Sequence, residues 1–492
     1  MLFNSFDFIL LFLPMCLFGY FGLNHYKRYQ SAKAFLLGMS LWFYGYFHVS
    51  YLLLLVGSIA VNYGLYRGII GNRERTGVAR CYTVLGVTLN LLVLGFFKYT
   101  DFFLENVNAL FRTQIPLLGI LLPLGISFFT FQQVGFLVDA YRGKAGNYGF
   151  LDYAVFVSFF PQLIAGPIVT HDELVPQLAD TDKKRLNAEH FSAGCVYFIV
   201  GLAKKILIAD VMGRAVTYGY GNIGALNTSG ALIVMLAFYI QIYFDFSGYS
   251  DMAIGLGKMF NLELPVNFES PYKARTVREH WKGWHMTLTR FFTEYVYIPL
   301  GGSRKGSFYT YRNTLIVFLL SGIWHGAGWG FIIWGLLHGI GIVLCRVWEK
   351  PIAAVCRKKL GSVALWFINM LFVSVSWVFF KAENLHTAVA FLKRLFTGGG
   401  GMPQAGLLQN FRQEEFWYVL KVFHLDRSGY GDLLLCVAYF VAAFVLLLAF
   451  PNVRKYMQNW KARTGTAVLL AVLFLWSFVS LSGVSTFLYY NF

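Results

Sequence analysis

Charged residues are scarce in this sequence of 492 residues: they make up 13% of it, while hydrophobic residues make up 57% and aromatic residues 19%. Soluble domains carry roughly 25% charged residues, so this deficit argues against a soluble enzyme. Acidic residues are also few, 24 against 41 Lys and Arg, which leaves a formal net charge of +17. The cations lie between apolar segments and not in a polar basic domain, so we do not expect nucleic-acid binding.

Several motifs that carry chemistry are missing. The six cysteines show no C-x-x-C spacing, and H-E-x-x-H is absent, so we predict no metal site and no disulfide framework. No P-loop, dinucleotide fingerprint or G-x-S-x-G elbow occurs in a plausible context, which argues against an NTPase, a dehydrogenase and a serine hydrolase. The N-terminal apolar run has no basic stretch before it and no cleavage site after it, and we expect it to remain as the first span.

Long apolar runs are what the sequence does contain. A spanning helix needs about 20 mostly apolar residues, and roughly a dozen segments approach that standard. Leu117–Tyr141 and Tyr153–Ile168 are two of them. The pattern predicts an all-α polytopic membrane protein that forms a single membrane-embedded domain over residues 1–492.

The positions of the cations predict the topology. The basic loops Asn24–Lys33 and Gly71–Arg80 are separated by two predicted spans, so both can be cytoplasmic, with the N-terminus outside. Residues 258–312 hold nine cations against four acidic residues and many aromatics, which is typical of an interfacial segment at the cytoplasmic face. Residues 398–432 open with four glycines and are predicted to be a loop with one short amphipathic helix.

One apolar run is too long for a simple span. Thr314–Val343 would extend about 45 Å as a helix, against a hydrocarbon core of about 30 Å. It must tilt steeply or break, and the glycines of SGIWHGAGWG at residues 321–330 offer a place to break. Its midpoint carries His325, which we expect near the middle of the membrane.

Ionisable side chains within apolar segments are functional candidates because a membrane makes them costly. His325 is the first candidate; the alternative is a neutral core histidine bonded to a neighbouring helix. His285, among tryptophans beside the basic segment, could orient a substrate or share a proton, or could simply lie at water level. His338 can share a site with His325 only if the helix breaks, and a structural role explains it better.

Other polar residues also interrupt apolar segments. Asp245 and Ser247 lie in the run YFDFSGYSDMAIGLG and need a partner, a cavity or a raised pKa. Gln132, in PLGISFFTFQQ, is either a lining residue or interhelical hydrogen-bonding glue, and for the glutamines we favour glue.

Several long motifs occur together in one order. They are MLFNSFDFILLFLP, PLGISFFTFQ, FFPQLIAGPI, YFDFSGYSDMAIGLG, NFESPYKARTVREHWKGWHMTLTRFFTEYVYIPLGG and SGIWHGAGWGFIIWGLLHG. In this combination the chain resembles the membrane-bound O-acyltransferase family, and within it the bacterial branch that O-acetylates alginate. The resemblance covers nearly the whole chain and is weakest at residues 398–432.

The resemblance implies a fold and a site. The family fold is a ring of about 11–12 transmembrane or re-entrant helices around a central chamber, in the bacterial cytoplasmic membrane. The catalytic histidine of the W-H-G element corresponds to His325, beside Trp324. The second family position, in W-x-x-W-H, corresponds to His285, preceded by Trp281 and Trp284.

The resemblance also implies a reaction. Acetyl groups would pass from a cytoplasmic thioester, acetyl-CoA, to an extracytoplasmic polysaccharide, with an extracytoplasmic acetyltransferase as partner and no tightly bound cofactor. His325 would act as general base or as acyl-accepting nucleophile, and His285 would position the donor or stabilise the oxyanion. The basic segment 258–312 could attract the phosphates of CoA or an acidic carrier protein, although positive-inside topology explains its charge equally well.

Two rival functions are compatible with the sequence. D-alanyl transfer to teichoic acid from a carrier protein is the rival within the family. A proton-coupled transporter, which would rely on Asp245 or Asp251, is the rival from another class. The sequence shows no evident inverted repeat of the kind that many transporters carry.

Overall fold

Helices account for all regular structure in the described part of the chain. The computed structural model describes residues 1–424, 430–458, 460, 463–481 and 487–488, and none of them forms a β-strand. Within these described residues, seven helices are long and apolar enough to cross a membrane: Asp7–His25, Val49–Gly71, Thr76–Phe111, Thr228–Met259, Trp329–Val347, Lys359–Lys381 and Gly431–Leu448. These findings confirm the prediction of an all-α polytopic membrane protein.

The described residues group into two compact units. The first unit contains residues 1–201 and 249–266, with the described residues among 481–492, and the second contains 202–248 and 267–480. Helices α9 (Ala188–Ala203) and α11 (Thr228–Met259) contribute to both units.

The first unit contains the N-terminal helices. They are α1 Leu13–His25, α2 Tyr29–Gly45, α3 Val49–Gly71, α4 Thr76–Phe111, α5 Ile126–Tyr141, α6 Phe150–Ser158, α7 Phe160–Leu163 and α8 His171–Ala179, preceded by a π-helical segment, Asp7–Phe12. Buried side-chain amides link these helices. Asn62 of α3 and Asn90 of α4 donate hydrogen bonds to each other. Gln133 of α5 donates to Ser58 and accepts from Tyr153 of α6. This is the interhelical hydrogen bonding that the sequence predicts for a glutamine here.

The second unit holds most of the C-terminal helices. They are α10 Asp210–Gly221, α12 Val277–Gly283, α13 Met286–Phe292, α14 Ser307–His325, α15 Trp329–Val347, α16 Glu349–Cys356, α17 Lys359–Lys381, α18 Leu385–Thr397, α19 Ala405–Leu408, α20 Glu414–Val422, α21 Gly431–Leu448, α22 Val453–Gln458 and α23 Thr464–Val479. Two π-helical segments, Lys204–Ala209 and Thr293–Tyr297, complete it. Residues 398–432 include α19 and α20, and residues 425–429 of this interval lie outside the described residues.

The prediction of a continuous span over Tyr153–Ile168 is wrong. Helix α6 ends at Ser158, Phe159 is extended with ψ of 111°, and the single turn α7 follows. Pro161 has no backbone N–H to continue the α6 ladder, and its ring would clash with the carbonyl four residues earlier.

The predicted span Leu117–Tyr141 is also too long. Helix α5 begins only at Ile126, after Gly125, which has φ of +72°. A Cβ at Gly125 would lie 2.7 Å from the carbonyl oxygen of Leu163. The left-handed backbone and this close approach both require glycine, and they end the helix on its N-terminal side.

The long run Thr314–Val343 breaks. Helices α14 and α15 form an antiparallel hairpin whose turn is Gly326–Gly328. The helices touch through glycine: a Cβ at Gly335 would lie 2.3 Å from the carbonyl oxygen of Phe318, and one at Gly322 would lie 2.4 Å from that of Phe331. His325 is therefore the last residue of α14, at the tip of the hairpin.

Gly335→Ala is expected to destabilise the protein by about 1–3 kcal/mol, because the new methyl group meets backbone that cannot move aside. Gly57→Ala is the control, since a Cβ at Gly57 of α3 meets nothing within 4 Å. Denaturant unfolding in detergent micelles, followed by tryptophan fluorescence, measures both changes. Equal stability of the two variants would contradict the close packing of α14 against α15.

Candidate active site

A short hydrogen bond fixes the ring of His325. Its Nδ1 lies 2.6 Å from the carbonyl oxygen of Ser321, one turn earlier in α14. A carbonyl can only accept, so Nδ1 carries the proton and the lone pair of the neutral ring is on Nε2. The side chain is 1% exposed. His325 is therefore held as a buried base with a defined tautomer.

A second buried histidine is fixed in the same way. His285, which is 0% exposed, has its Nδ1 2.9 Å from Oδ1 of Asn267. The same oxygen accepts from the hydroxyl of Thr287 at 3.0 Å. An amide oxygen can only accept, so Nδ1 of His285 is the donor and its lone pair is on Nε2.

The backbone at His285 is unusual. It has φ of 42° and ψ of 55°, a left-handed conformation at the junction between α12 and α13. The backbone of Asn267 accepts from the N–H of Met286 at 2.9 Å, next to the side-chain contacts. Asn267 thus stabilises a conformation that a non-glycine residue seldom adopts.

Burial lowers the pKa of His285 well below its usual value, and the nearby His325 lowers that pKa further. Both causes disfavour the imidazolium. His285 is accordingly neutral near pH 7.

Trp324 joins the two histidines. Its ring centroid lies 4.8 Å from that of His325 and 6.2 Å from that of His285. Trp334 and Phe380 also pack against His325, at 4.8 Å and 5.4 Å. The structure therefore brings both predicted catalytic residues into one aromatic enclosure, where the roles assigned to them remain predictions.

Trp281 and Trp284 make different contacts. Trp284 is 0% exposed and stacks against His280 and Tyr272. Trp281 lines a cavity of about 460 Å³ together with Ser321 and Met286, the neighbour of His285. The cavity thus reaches the residues that hold or adjoin both histidines.

The cavity wall combines apolar and cationic side chains. Leu288, Phe292 and Phe318 contribute apolar surface, and Arg278, Lys282 and Arg346 contribute positive charge. Such a site suits a ligand with an apolar end and an anionic end. Among the described residues, no three His, Cys, Asp or Glu side chains group closely enough to hold a metal ion.

His338 lies beside the enclosure and contacts it through tryptophan. Its Nδ1 accepts from the indole of Trp281 at 3.1 Å, and its Nε2 lies 2.9 Å from the hydroxyl of Ser376. The break in the helix allows His338 to approach Trp334, which lies between it and His325. His338 is not among the residues that line the cavity.

Asp245 and Ser247 have cationic partners. Asp245 pairs with Lys205 at 2.7 Å, and the same ammonium reaches Asp210 at 2.8 Å. Ser247 is the acceptor of a 3.5 Å contact from Lys204. These two lysines lie in the π-helical segment Lys204–Ala209.

Gln132 belongs to the first unit. Its side-chain amide contacts the carbonyl of Val169 at 3.5 Å. That contact is compatible with a structural role.

The sequence pattern did not single out Asn267, Ser321 or Lys205. Asn267 opens the motif NFESPYK, and an asparagine after apolar residues was the available signal. Ser321 acts through its backbone, which no residue-type pattern reveals. Lys205 follows Lys204 in an apolar segment, where a basic pair was detectable.

The chain is similar in sequence to several known proteins. The sequence profile of MBOAT, the membrane-bound O-acyltransferase family, matches residues 125–382. The chain is 40% identical to the peptidoglycan O-acetyltransferase of Helicobacter pylori, over 100% of this chain and 98% of the relative. It is 34% identical to the probable alginate O-acetylase AlgI of Pseudomonas putida, over the full length of both. The teichoic acid D-alanyltransferase of Streptococcus thermophilus is 28% identical, over 48% of this chain and 60% of the relative.

Asn267→Leu is expected to lower the free energy of unfolding by about 2–4 kcal/mol, because buried donors of His285 and Thr287 lose their acceptor. Asn222→Leu is the control, since Asn222 is exposed and bonds only within its own helix region, to Tyr218. Denaturant unfolding in micelles reports both values. A loss no larger than that of the control would show that Asn267 does not hold this junction.

Proposed function

The chain belongs to the membrane-bound O-acyltransferase family and is a multi-pass membrane O-acetyltransferase, and on that premise we propose that it carries acetyl groups from cytoplasmic acetyl-CoA to a polysaccharide outside the membrane. The observation that carries the proposal is the pair of buried histidines, each with its Nδ1 proton donated and its lone pair on Nε2. The cavity beside them supplies a place for the donor.

The cavity supports a thioester donor with phosphates. Its apolar wall suits the pantetheine arm, and Lys282 and Arg346 suit the phosphates of the nucleotide. Arg346 lies in the last turn of α15, and Lys350, Arg357, Lys358 and Lys359 follow it in the sequence. By the positive-inside rule this end of the helices faces the cytoplasm, where acetyl-CoA is made.

His325 acts as the general base. Its Nε2 takes the proton of the acceptor hydroxyl while the hydroxyl oxygen attacks the thioester carbonyl. The tetrahedral intermediate then collapses, the C–S bond breaks, and Nε2 returns the proton to the departing thiolate. The carbonyl of Ser321 stabilises the imidazolium that forms between these steps, because it keeps its hydrogen bond to Nδ1 throughout.

A second route uses the same nitrogen as nucleophile. Nε2 would attack the thioester, release the thiol and hold the acetyl group as an acyl-imidazole until the acceptor arrives. Trapping of acetyl on His325 under single-turnover conditions in the absence of acceptor would replace the general-base route by this one.

The geometry at His285 favours positioning over oxyanion stabilisation. An oxyanion needs a hydrogen-bond donor. The proton of a neutral His285 is on Nδ1 and is given to Asn267, so Nε2 can only accept. His285 is thus suited to receive a hydrogen bond from an amide N–H of the donor or from the acceptor hydroxyl.

The names of two relatives support the proposed acceptor. The names of the relatives include peptidoglycan and alginate as acetylated polymers, so the acceptor is a glycan of the cell envelope or of a secreted polysaccharide. The protein works in the bacterial cytoplasmic membrane with an extracytoplasmic acetyltransferase that completes the transfer to sugar hydroxyls. The teichoic acid relatives are 28% and 25% identical and match 48% and 60% of the chain, so D-alanyl transfer from a carrier protein is the less favoured reaction.

His325→Ala is expected to lower ester-linked acetate on the extracellular glycan by at least about 100-fold, because loss of a general base typically costs that much. His386→Ala, at an exposed position, is the control. Acetate is released with mild alkali and quantified at matched membrane levels of each variant, and the deacetylated sugar identifies the acceptor. Normal acetate in His325→Ala would reject the catalytic assignment and favour the transporter.

Lys282→Gln combined with Arg346→Gln is expected to raise the KM for acetyl-CoA about tenfold, because two cations that face the phosphates are lost. The KM for acetyl-pantetheine, which lacks the nucleotide, should not change. Lys305→Gln serves as the control for surface charge on the same segment. An equal rise in KM for both donors would show that the phosphates bind elsewhere. If only an acyl carrier protein supported activity, that protein and not acetyl-CoA would be the donor.

A further inference from the structure

A buried histidine outside the proposed reaction has both ring nitrogens in hydrogen bonds. His338 is 0% exposed and lies on α15, while its partners Trp281 and Ser376 lie on α12 and α17. Three separate helices therefore meet at one imidazole.

These hydrogen bonds can run in one direction only. The indole of Trp281 has a donor and no acceptor, so Nδ1 of His338 must accept. Ser376 gives its own proton to the carbonyl of Val373 at 2.8 Å, so its oxygen accepts from Nε2 of His338. This series of hydrogen bonds thus requires a neutral His338 ring with its proton on Nε2. It runs from Trp281 through His338 and Ser376 to the carbonyl of Val373.

Trp281, the first donor in this series of hydrogen bonds, borders the proposed donor cavity. Trp281 lines the cavity and packs edge-to-face on Phe318, another lining residue, at 4.8 Å. His338 also packs on Trp334 at 5.1 Å, and Trp334 packs on His325 at 4.8 Å. A rotation of the His338 ring would disturb both the cavity wall and the support of the proposed base.

We propose that His338 and Ser376 are positioning residues, which orient the indole of Trp281 at the acetyl-donor cavity. Ser376 selects the tautomer of His338, and that tautomer gives Trp281 its acceptor. Without Ser376 the proton could move to Nδ1, where it would face the indole N–H and release Trp281 from its position. This inference rests on the proposed function for the identity of the donor.

A double-mutant cycle tests the inference. His338→Phe keeps the volume of the ring but removes both hydrogen bonds, and it should raise the KM for acetyl-CoA about tenfold with a smaller loss of kcat. His338→Gln, whose amide can accept from Trp281 and donate to Ser376, should restore the KM to within about threefold. The Trp281→Phe variant has no indole N–H at this position. In that variant, adding His338→Phe should raise the KM for acetyl-CoA by less than about twofold.

A spectroscopic measurement makes the result independent of catalysis. The indole N–H signal of Trp281 is assigned by its loss in Trp281→Phe, after ¹⁵N labelling of tryptophan in detergent micelles. Its hydrogen exchange should accelerate in His338→Phe and remain slow in His338→Gln. Unchanged exchange in His338→Phe would overturn the inference.

The two sets of measurements separate the possible failures. If the effects of His338→Phe and Trp281→Phe on the KM multiply, and His338→Gln does not restore the KM, then His338 is a general packing residue. That result would overturn the inference. If the exchange rates change as expected while the normal protein transfers no acetyl group, the orientation of Trp281 stands and the proposed function fails.

Discussion

A buried imidazole must have its proton position defined by its surroundings, and this constraint governs the whole site. The tryptophan and phenylalanine rings that enclose His325 supply no hydrogen-bond acceptor to its N–H. The hydrogen bond to the carbonyl of Ser321 therefore fixes the proton of His325 on Nδ1 and its lone pair on Nε2. The hydrogen bond to Asn267 fixes the same tautomer of His285. The reactivity proposed for either residue depends on these contacts.

The glycine hairpin makes the first of these contacts possible. Because Gly322 and Gly335 allow α14 and α15 to touch at backbone distance, the chain can turn at Gly326–Gly328 directly after His325. The histidine thus lies where the helix stops, and its ring folds back on the carbonyl one turn earlier.

Polar partners inside the second unit come from distant segments. Asn267, Lys205 and Ser376 each satisfy a buried group that is distant in the sequence. Buried polar groups that lose a partner cost more than the bond itself contributes, so these contacts also specify how the helices pack. The neutral state of His285 follows from the same burial, and it explains why that ring is suited to accept a hydrogen bond and not to stabilise an oxyanion.

The sequence by itself determined the membrane class and the candidate histidines. Membrane spans are recognised from apolar composition and cation placement, which are local properties of the sequence. The candidate histidines are recognised in the same way, because His325 and His285 are ionisable residues among aromatic neighbours. The same local reasoning was wrong at Tyr153–Ile168, where Pro161 interrupts the helix, and at Leu117–Tyr141, where Gly125 approaches the backbone of Leu163. Only the tertiary structure decided which nitrogen of each ring carries the proton, because that depends on a carbonyl, an amide or a hydroxyl brought near by folding. Asn267 is 18 positions from His285 and Ser376 is 38 from His338, and no pattern along the chain specifies such a contact.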